Sequence, residues 1–129
     1  MEADEQHHLD TFDRLIFERG TRPTALAPIW DVAGHALGAA TALMGEKAAH
    51  ACTEAVESVI EKHYAGQIEE LHAMGEAELA TLFTKFREEE LEHRDLAIEE
   101  GARQAPGYAL LSRAIEAGCR VAIKVSERV

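Results

Sequence analysis

The sequence predicts an all-α protein in which several helices pack into one bundle. Ala, Glu and Leu dominate the composition, and these residues are strong helix formers. No segment of useful length alternates apolar and polar residues in the way that is typical of a half-buried strand. A chain of 129 residues suits one domain with a substantial core, so residues 1–129 are expected to form a single domain.

Glycine and proline turn signals divide the chain into five helices. The segment 20–23 ends the first helix, Pro28 opens the second and Gly45 closes it, because Pro suits a first helical turn and Gly the position after a helix. Gly75 separates the third helix from the fourth, and the segment 104–107 precedes the fifth. The predicted ranges are about 5–19, 28–45, 47–74, 76–102 and 108–126.

The net charge and the distribution of apolar residues indicate which kinds of partner the protein binds. A formal net charge of −11 argues against nucleic acid, which needs clustered Lys and Arg. Residues 24–45 form the only long apolar run, but its proline and charged residues argue against a membrane-spanning helix. We expect this segment to dock on a membrane surface through Trp30, Leu37 and Met44, with the apolar and basic fifth helix beside it. An ordinary buried helix is the alternative.

The inward faces of three helices are marked by residues at spacings of three and four. Each row is apolar except where Glu or His interrupts it, and Glu is almost never buried without a partner. These interruptions therefore indicate chemistry inside the bundle. The rows are Glu5, His8, Phe12 and Leu15 in the first helix, Glu57, Ile60, Tyr64, Ile68 and Leu71 in the third, and Leu79, Phe83, Phe86, Glu90, His93 and Ala97 in the fourth.

The interruptions include two Glu-x-x-His motifs, Glu5/His8 and Glu90/His93. Glu and His three residues apart lie on one helix face, so both can bind one metal ion or two adjacent ions. A chain with 19 Glu and 7 His is expected to contain about one such motif by chance. A third motif, Glu69/His72, falls one residue off its row and is interpreted as surface, as are Glu88, Glu89 and Glu92 on the fourth helix.

Together with Glu57, the two motifs predict a bundle metal site. Bundle proteins with two irons or manganeses use one Glu from each of two helices and Glu-x-x-His from each of the other two. Glu57 precedes Glu90 by 33 residues, so by analogy Glu5 needs a carboxylate about 30 residues upstream. Five of six expected ligands are present, and the sixth is absent from the sequence. A chance alignment of polar residues is the alternative.

Several short segments resemble the demethoxyubiquinone hydroxylase family, the di-iron enzymes of ubiquinone biosynthesis, and the resemblance covers essentially all 129 residues. The segments are Arg22-Pro23-Thr24, Ala51-Cys52-Thr53, Ala55-Val56-Glu57, His63-Tyr64, Phe86-Arg87, Glu89-Glu90-Leu91-Glu92-His93, Gly118-Cys119-Arg120-Val121-Ala122-Ile123 and Ser126-Glu127-Arg128.

The resemblance implies a ferritin-like four-helix bundle with two Fe²⁺ ions and additional apolar membrane-docking helices. Glu5 and Glu90 would be the bridging carboxylates, His8 and His93 the imidazole ligands, and Glu57 a further carboxylate ligand. The family's His and Tyr beside the iron site match His63 and Tyr64, which would assist catalysis from outside the ligand set. Simple packing is the alternative for both. The family's first ligand helix is missing here, which implies an N-terminally truncated domain from a shortened reading frame, a truncated chain or a degenerate copy.

The resemblance also implies a function, that of an O₂-dependent monooxygenase that hydroxylates a demethoxyubiquinone. Its expected partners are a polyprenyl benzoquinol, dioxygen, a membrane surface, a lipid-binding protein of the ubiquinone pathway and a second copy of the chain. The expected location is peripheral, on the cytoplasmic face of a bacterial inner membrane or the matrix face of the mitochondrial one. The alternatives are another ferritin-like iron or peroxide protein, and an inactive paralogue that binds quinone or a partner chain.

Overall fold

A computed structural model describes residues 2–129 and shows a helical protein, which confirms the predicted class. A short 3₁₀ turn stands between the fourth and fifth α-helices, and the described residues contain no strand. The elements are α1 (Glu2–Glu18), α2 (Ala27–Leu43), α3 (Glu46–Ala73), α4 (Ala77–Glu99), the 3₁₀ turn (Ala102–Gln104) and α5 (Tyr108–Ser126).

The helix ends lie close to the predicted ones, with two differences. Helix α4 ends at Glu99 rather than Ala102, because Gly101 adopts a φ of +106° that starts the 3₁₀ turn. Helix α1 begins at Glu2, three residues earlier than predicted, and its acidic first turn suits the positive end of the helix dipole.

Helices α3 and α4 form the centre of the fold. The turn between them places Gly75 at a φ of +76°, and so short a connection makes the two helices antiparallel neighbours. Helix α5 and the 3₁₀ turn pack on α3, where Ala51 meets Ala102 and Ala105. The small alanine side chains allow the backbones to approach closely at this end of α3.

Helix α1 is joined to the α3–α4 pair through aromatic side chains. The ring of Phe12 lies 5.5 Å from that of Phe83, 5.7 Å from that of Phe86 and 6.4 Å from that of Tyr64, measured between centroids. Phe86 and Tyr64 are buried while Phe12 and Phe83 are half-buried, so these rings make an aromatic layer that reaches from the core to the surface. The layer fixes where the polar first turns of α1 lie relative to α3 and α4.

Helix α2 packs on α3 and leaves most of its surface exposed. Of the residues in this helix only Thr41 is buried. Gly34 and Gly38 have the Gly-x-x-x-Gly spacing that can allow two helices to pack closely. A Cβ atom added at either glycine would meet nothing within 4 Å, so no helix packs closely on them within residues 2–129. In the described range, each helix is either too short or too polar to cross a bilayer.

Candidate metal centre

The five predicted ligands converge at one place between α1, α3 and α4. Nδ1 of His8 lies 3.0 Å from Oε1 of Glu90, and Nδ1 of His93 lies 3.4 Å from Oε2 of the same carboxylate. Nδ1 of His93 also lies 3.2 Å from Oε1 of Glu5. One ligand atom each from Glu5, Glu57, Glu90 and His93 can be chosen so that all four lie within 4.8 Å of one another. The structure therefore brings both Glu-x-x-His motifs and Glu57 together.

Four buried atoms in this cluster have no hydrogen-bond partner among residues 2–129. They are Nδ1 of His8 and of His93, and Oε2 of Glu57 and of Glu90. The short distance between His8 and Glu90 lacks the geometry of a hydrogen bond. A buried polar atom without a partner costs about 1–3 kcal/mol, so four of them in one place are what a ligand site without its ligand shows. Imidazole nitrogen and carboxylate oxygen are ligand types suited to divalent transition metals, and the cluster fits such ions.

Burial and mutual repulsion disfavour ionisation of the carboxyl groups in the cluster. Burial raises the pKa of Glu57 to about 10, with the adjoining Glu90 carboxyl and the charge of Glu5 acting in the same direction. Burial also raises the pKa of Glu5, and the charge of Glu90 adds to the effect, although the Glu5 side chain is 47% exposed. Without a cation the site must take up protons, whereas bound metal ions would neutralise the same charges.

Two other buried glutamates of α3 have hydrogen-bond partners and serve as a comparison for Glu57. Glu54 accepts hydrogen bonds of 2.9 Å from the hydroxyl of Tyr108, and Glu61 accepts two from Arg87, at 3.0 and 3.1 Å. Both are as deeply buried as Glu57. Of the three, only Glu57 has a fully buried carboxylate oxygen without a partner in the described chain, so burial by itself does not explain its position.

Each imidazole of the cluster is also hydrogen bonded on its outer side. Nε2 of His8 lies 2.5 Å from Oε2 of Glu89, and Nε2 of His93 lies 3.0 Å from Oδ2 of Asp4. The hydrogen bond to His93 lowers the pKa of Asp4. The prediction that Glu89 belongs to a solvated face is wrong, because its side chain is 18% exposed and turns to α1. Asp4 was not predicted as a site residue, although it precedes Glu5 as Glu89 precedes Glu90.

Four other acidic and histidine positions lie on the surface, as predicted. Glu69 and His72 are both exposed, which confirms that the third Glu-x-x-His motif lies on the surface. Glu88 and Glu92 are exposed as well, in agreement with the solvated face predicted for them.

Tyr64 and His63 are adjacent in sequence but face different surroundings. Tyr64 is buried within the aromatic layer, where burial and then the charges of Glu90 and Glu5 raise its pKa. His63 is half-buried and lines clefts toward α5, together with Ile123 and Trp30. Tyr64 therefore lies within the electrostatic reach of the cluster, while His63 belongs to the α3–α5 surface.

The residues predicted to dock on a membrane lie partly inside the molecule. Trp30 and Leu37 are half-buried and line an apolar cleft of about 590 Å³ between α2, α3 and α5. The indole of Trp30 donates a hydrogen bond of 2.6 Å to the hydroxyl of Ser126. Met44, just beyond α2, is exposed. The exposed apolar face of α2 is instead made by other residues, of which Ile29, Val32 and Leu43 are the largest.

The fold and the cluster together define a helical protein with a central carboxylate–histidine cluster that could hold metal ions. The family model described as "Ubiquinone biosynthesis protein COQ7" matches residues 1–126. The chain therefore belongs to the COQ7 family.

Similar curated proteins support this membership. The chain is 57% identical, over 100% of its length and 60% of the relative's, to a 3-demethoxyubiquinol 3-hydroxylase of Rhodospirillum rubrum. It is 49% identical, over 97% of its length and 59% of the relative's, to the mitochondrial NADPH-dependent 3-demethoxyubiquinone 3-hydroxylase of Homo sapiens. It is 40% identical, over 97% of its length and 60% of the relative's, to the mitochondrial 5-demethoxyubiquinone hydroxylase of Saccharomyces cerevisiae. The chain spans about three fifths of the length of these relatives.

Proposed function

We propose that this chain forms the metal centre of an O₂-dependent demethoxyubiquinone monooxygenase that uses two Fe²⁺ ions. The observation that carries the proposal is the set of four inward-facing atoms without partners in the described residues, drawn from both Glu-x-x-His motifs and Glu57. The names of the relatives supply the reaction, which is hydroxylation of a demethoxylated quinone or quinol ring.

The distances support a division of roles among the ligands. Glu90 lies between the two imidazoles, with one oxygen near His8 and the other near His93, so it is the proposed bridging carboxylate. Glu5 approaches both imidazoles, at 3.2 Å from His93 and 3.9 Å from His8, and would be the second carboxylate shared by the two ions. Glu57 would bind one ion through its free oxygen. When bound, the two irons would supply the activation of dioxygen for transfer of one oxygen atom to the ring.

The protein around the centre would exclude water and position the substrate. The buried ring of Phe86 lies 4.1 Å from the ring of His8 and closes one side of the cluster. Tyr64 continues this layer and is proposed to orient a ligand or relay a proton or an electron. His63 stays a proposed participant at the α3–α5 cleft. The apolar cleft between α2, α3 and α5 has the chemistry to hold a polyprenyl tail.

A sixth carboxylate is proposed to complete the ferritin-like ligand set on the side where Glu5 is exposed. That side of the cluster is the open one, since the Glu5 side chain is 47% exposed while that of Glu90 is 2% exposed. Another helix of the same protein or a second copy of this chain would supply the ligand. Iron stoichiometry tests this: two tightly bound irons in the 129-residue monomer would show that five ligands suffice.

Membrane association is proposed to use the exposed apolar face of α2 defined by Ile29, Val32 and Leu43, and a polyprenyl substrate would be drawn from that surface. The mitochondrial names of the eukaryotic relatives are compatible with an organelle membrane. Flotation with anionic liposomes tests the role, with Val32→Glu and Leu43→Glu as variants because these side chains are exposed. Binding equal to that of the unaltered chain would reject the docking face.

The hydroxylase proposal is tested by reconstitution with Fe²⁺ without oxygen, followed by ¹⁸O₂, NADPH and a short-chain demethoxyubiquinone. We expect one ¹⁸O atom in the product and no product from Glu90→Gln or His93→Ala. Glu69→Gln, on the exposed face of α3, serves as the matched control. Peroxide consumption without quinone turnover would favour the iron or peroxide protein, and a chain that binds fewer than two irons and forms no product would refute the proposal.

A further inference from the structure

Two carboxylates stand behind the two imidazoles, and each comes from the helix opposite. Glu89 of α4 meets Nε2 of His8 on α1, and Asp4 of α1 meets Nε2 of His93 on α4. Both carboxylates occupy the same place in their motif, immediately before the inward-facing Glu. Helix α1 reads Asp-Glu-x-x-His and α4 reads Glu-Glu-x-x-His, so the pairing is reciprocal.

An ionised carboxylate accepts hydrogen bonds but donates none, which determines the tautomer of each imidazole. A neutral ring that donates Nε2–H to the carboxylate keeps its lone pair on Nδ1. In both rings Nδ1 is the atom that faces the centre and has no hydrogen-bond partner within residues 2–129. The outer hydrogen bond also opposes rotation of each ring about its Cβ–Cγ bond.

We propose that Asp4 and Glu89 are positioning residues that act crosswise, each orienting the metal-binding histidine of the other helix. The inference rests on the proposed metal centre and extends it to residues outside the ligand set. Outer hydrogen-bond partners of this kind typically change metal affinity about 10–100-fold. The crossed arrangement links α1 to α4 through the histidines, so displacing either helix would disturb both imidazoles.

The two carboxylates differ in how strongly they should act. Glu89 is 18% exposed and its bond to His8 is 2.5 Å long, whereas Asp4 is 45% exposed and lies 3.0 Å from His93. Water competes more effectively for the exposed side chain. We therefore expect Glu89→Ala to weaken metal binding by close to 100-fold and Asp4→Ala by close to 10-fold.

The test is a Co²⁺ titration of the full chain, followed by calorimetry and by the visible absorption of bound Co²⁺, which reports ligand geometry. Glu88→Ala and Asp13→Ala, both exposed, are the matched controls on α4 and α1. Circular dichroism of each metal-free variant shows that it is folded at the titration temperature. The expected result is weaker binding and an altered Co²⁺ spectrum for Asp4→Ala and Glu89→Ala, with both controls unchanged.

The crosswise pairing is tested in variants of the chain that already lack one of the two histidines. Asp4→Ala should have no further effect on Co²⁺ affinity when His93 is already Ala, but should keep its effect when His8 is Ala. Glu89→Ala should show the opposite dependence. Effects that persist equally in both backgrounds would overturn the crosswise assignment, and unchanged affinity in the single variants would overturn the positioning role. If the unaltered chain binds no Co²⁺, the metal centre itself fails and this inference fails with it.

Discussion

Glu57 should make the metal-free protein less stable as pH rises. Its pKa is about 10 in the fold against an ordinary value of 4.5, because it is buried beside other carboxyls. Between these values the folded chain holds a proton that the unfolded chain has lost. The stabilising contribution is complete below about pH 4.5 and is lost as pH rises toward 10, at about 1.4 kcal/mol per pH unit for one proton.

Glu57→Gln removes this titration while keeping the shape of the side chain. Between pH 6 and 8 the unaltered metal-free chain should therefore lose about 2.7 kcal/mol more stability than the variant. With an unfolding entropy of about 2.1 cal/mol/K per residue, this corresponds to a difference of about 10 °C in the shift of Tm.

The assay is urea and thermal denaturation of chelator-treated protein at pH 6, 7 and 8, followed by circular dichroism. Glu69→Gln removes an exposed carboxylate from the same helix and should leave the pH dependence of stability unchanged. Parallel pH dependences for the unaltered chain and Glu57→Gln would refute the reasoning. They would mean that the Glu57 carboxyl is ionised in the folded metal-free state.

Three further outcomes follow from the same contacts. Metal binding should displace the proton on Glu57, so the affinity for Fe²⁺ should rise by up to about tenfold per pH unit between pH 6 and 8. Calorimetry in two buffers of different ionisation enthalpy should show the release of about one proton on binding. Phe86→Ala should cost about 3–5 kcal/mol in urea unfolding, because the ring is fully buried in the aromatic layer. Arg87→Met should cost about 1–3 kcal/mol by leaving the Glu61 carboxylate without its donor, and a double variant with Glu61→Gln should recover part of that loss.

Local signals were sufficient to predict the helices and the two motifs. Glycines with positive φ lie at Gly45, Gly75 and Gly107, where the sequence predicts helix ends or breaks, because these conformations strain other residues. The inward rows also placed Glu90 and His93 in the core, since side chains three and four residues apart share a helix face. Both arguments require only information within one helix, and for that reason they hold.

The residues that sequence reasoning missed depend on contacts between helices. The predicted row of α3 omits Glu54 and Glu61, although they stand three residues before and four residues after Glu57. Both are buried, and Tyr108 and Arg87 from other elements complete their hydrogen bonds. Glu89 lies beside the inward row of α4, and its carboxylate forms a hydrogen bond with His8 of α1. Helical periodicity predicts which face turns inward, but not which neighbouring helix will carry a partner at the edge of that face.

The outer carboxylates also change the charge balance of the proposed centre. Glu5, Glu57 and Glu90 bring three negative charges, whereas two Fe²⁺ ions would bring four positive ones, which leaves one positive charge in a largely buried place. Asp4 and Glu89 add two negative charges within hydrogen-bond distance of the histidines. The five carboxylates and two ions then carry one negative charge in total, so the outer pair compensates the metals even with the sixth carboxylate absent from the cluster. In the proposed centre, Asp4 and Glu89 would be electrostatic partners of the metals as well as supports for the imidazoles.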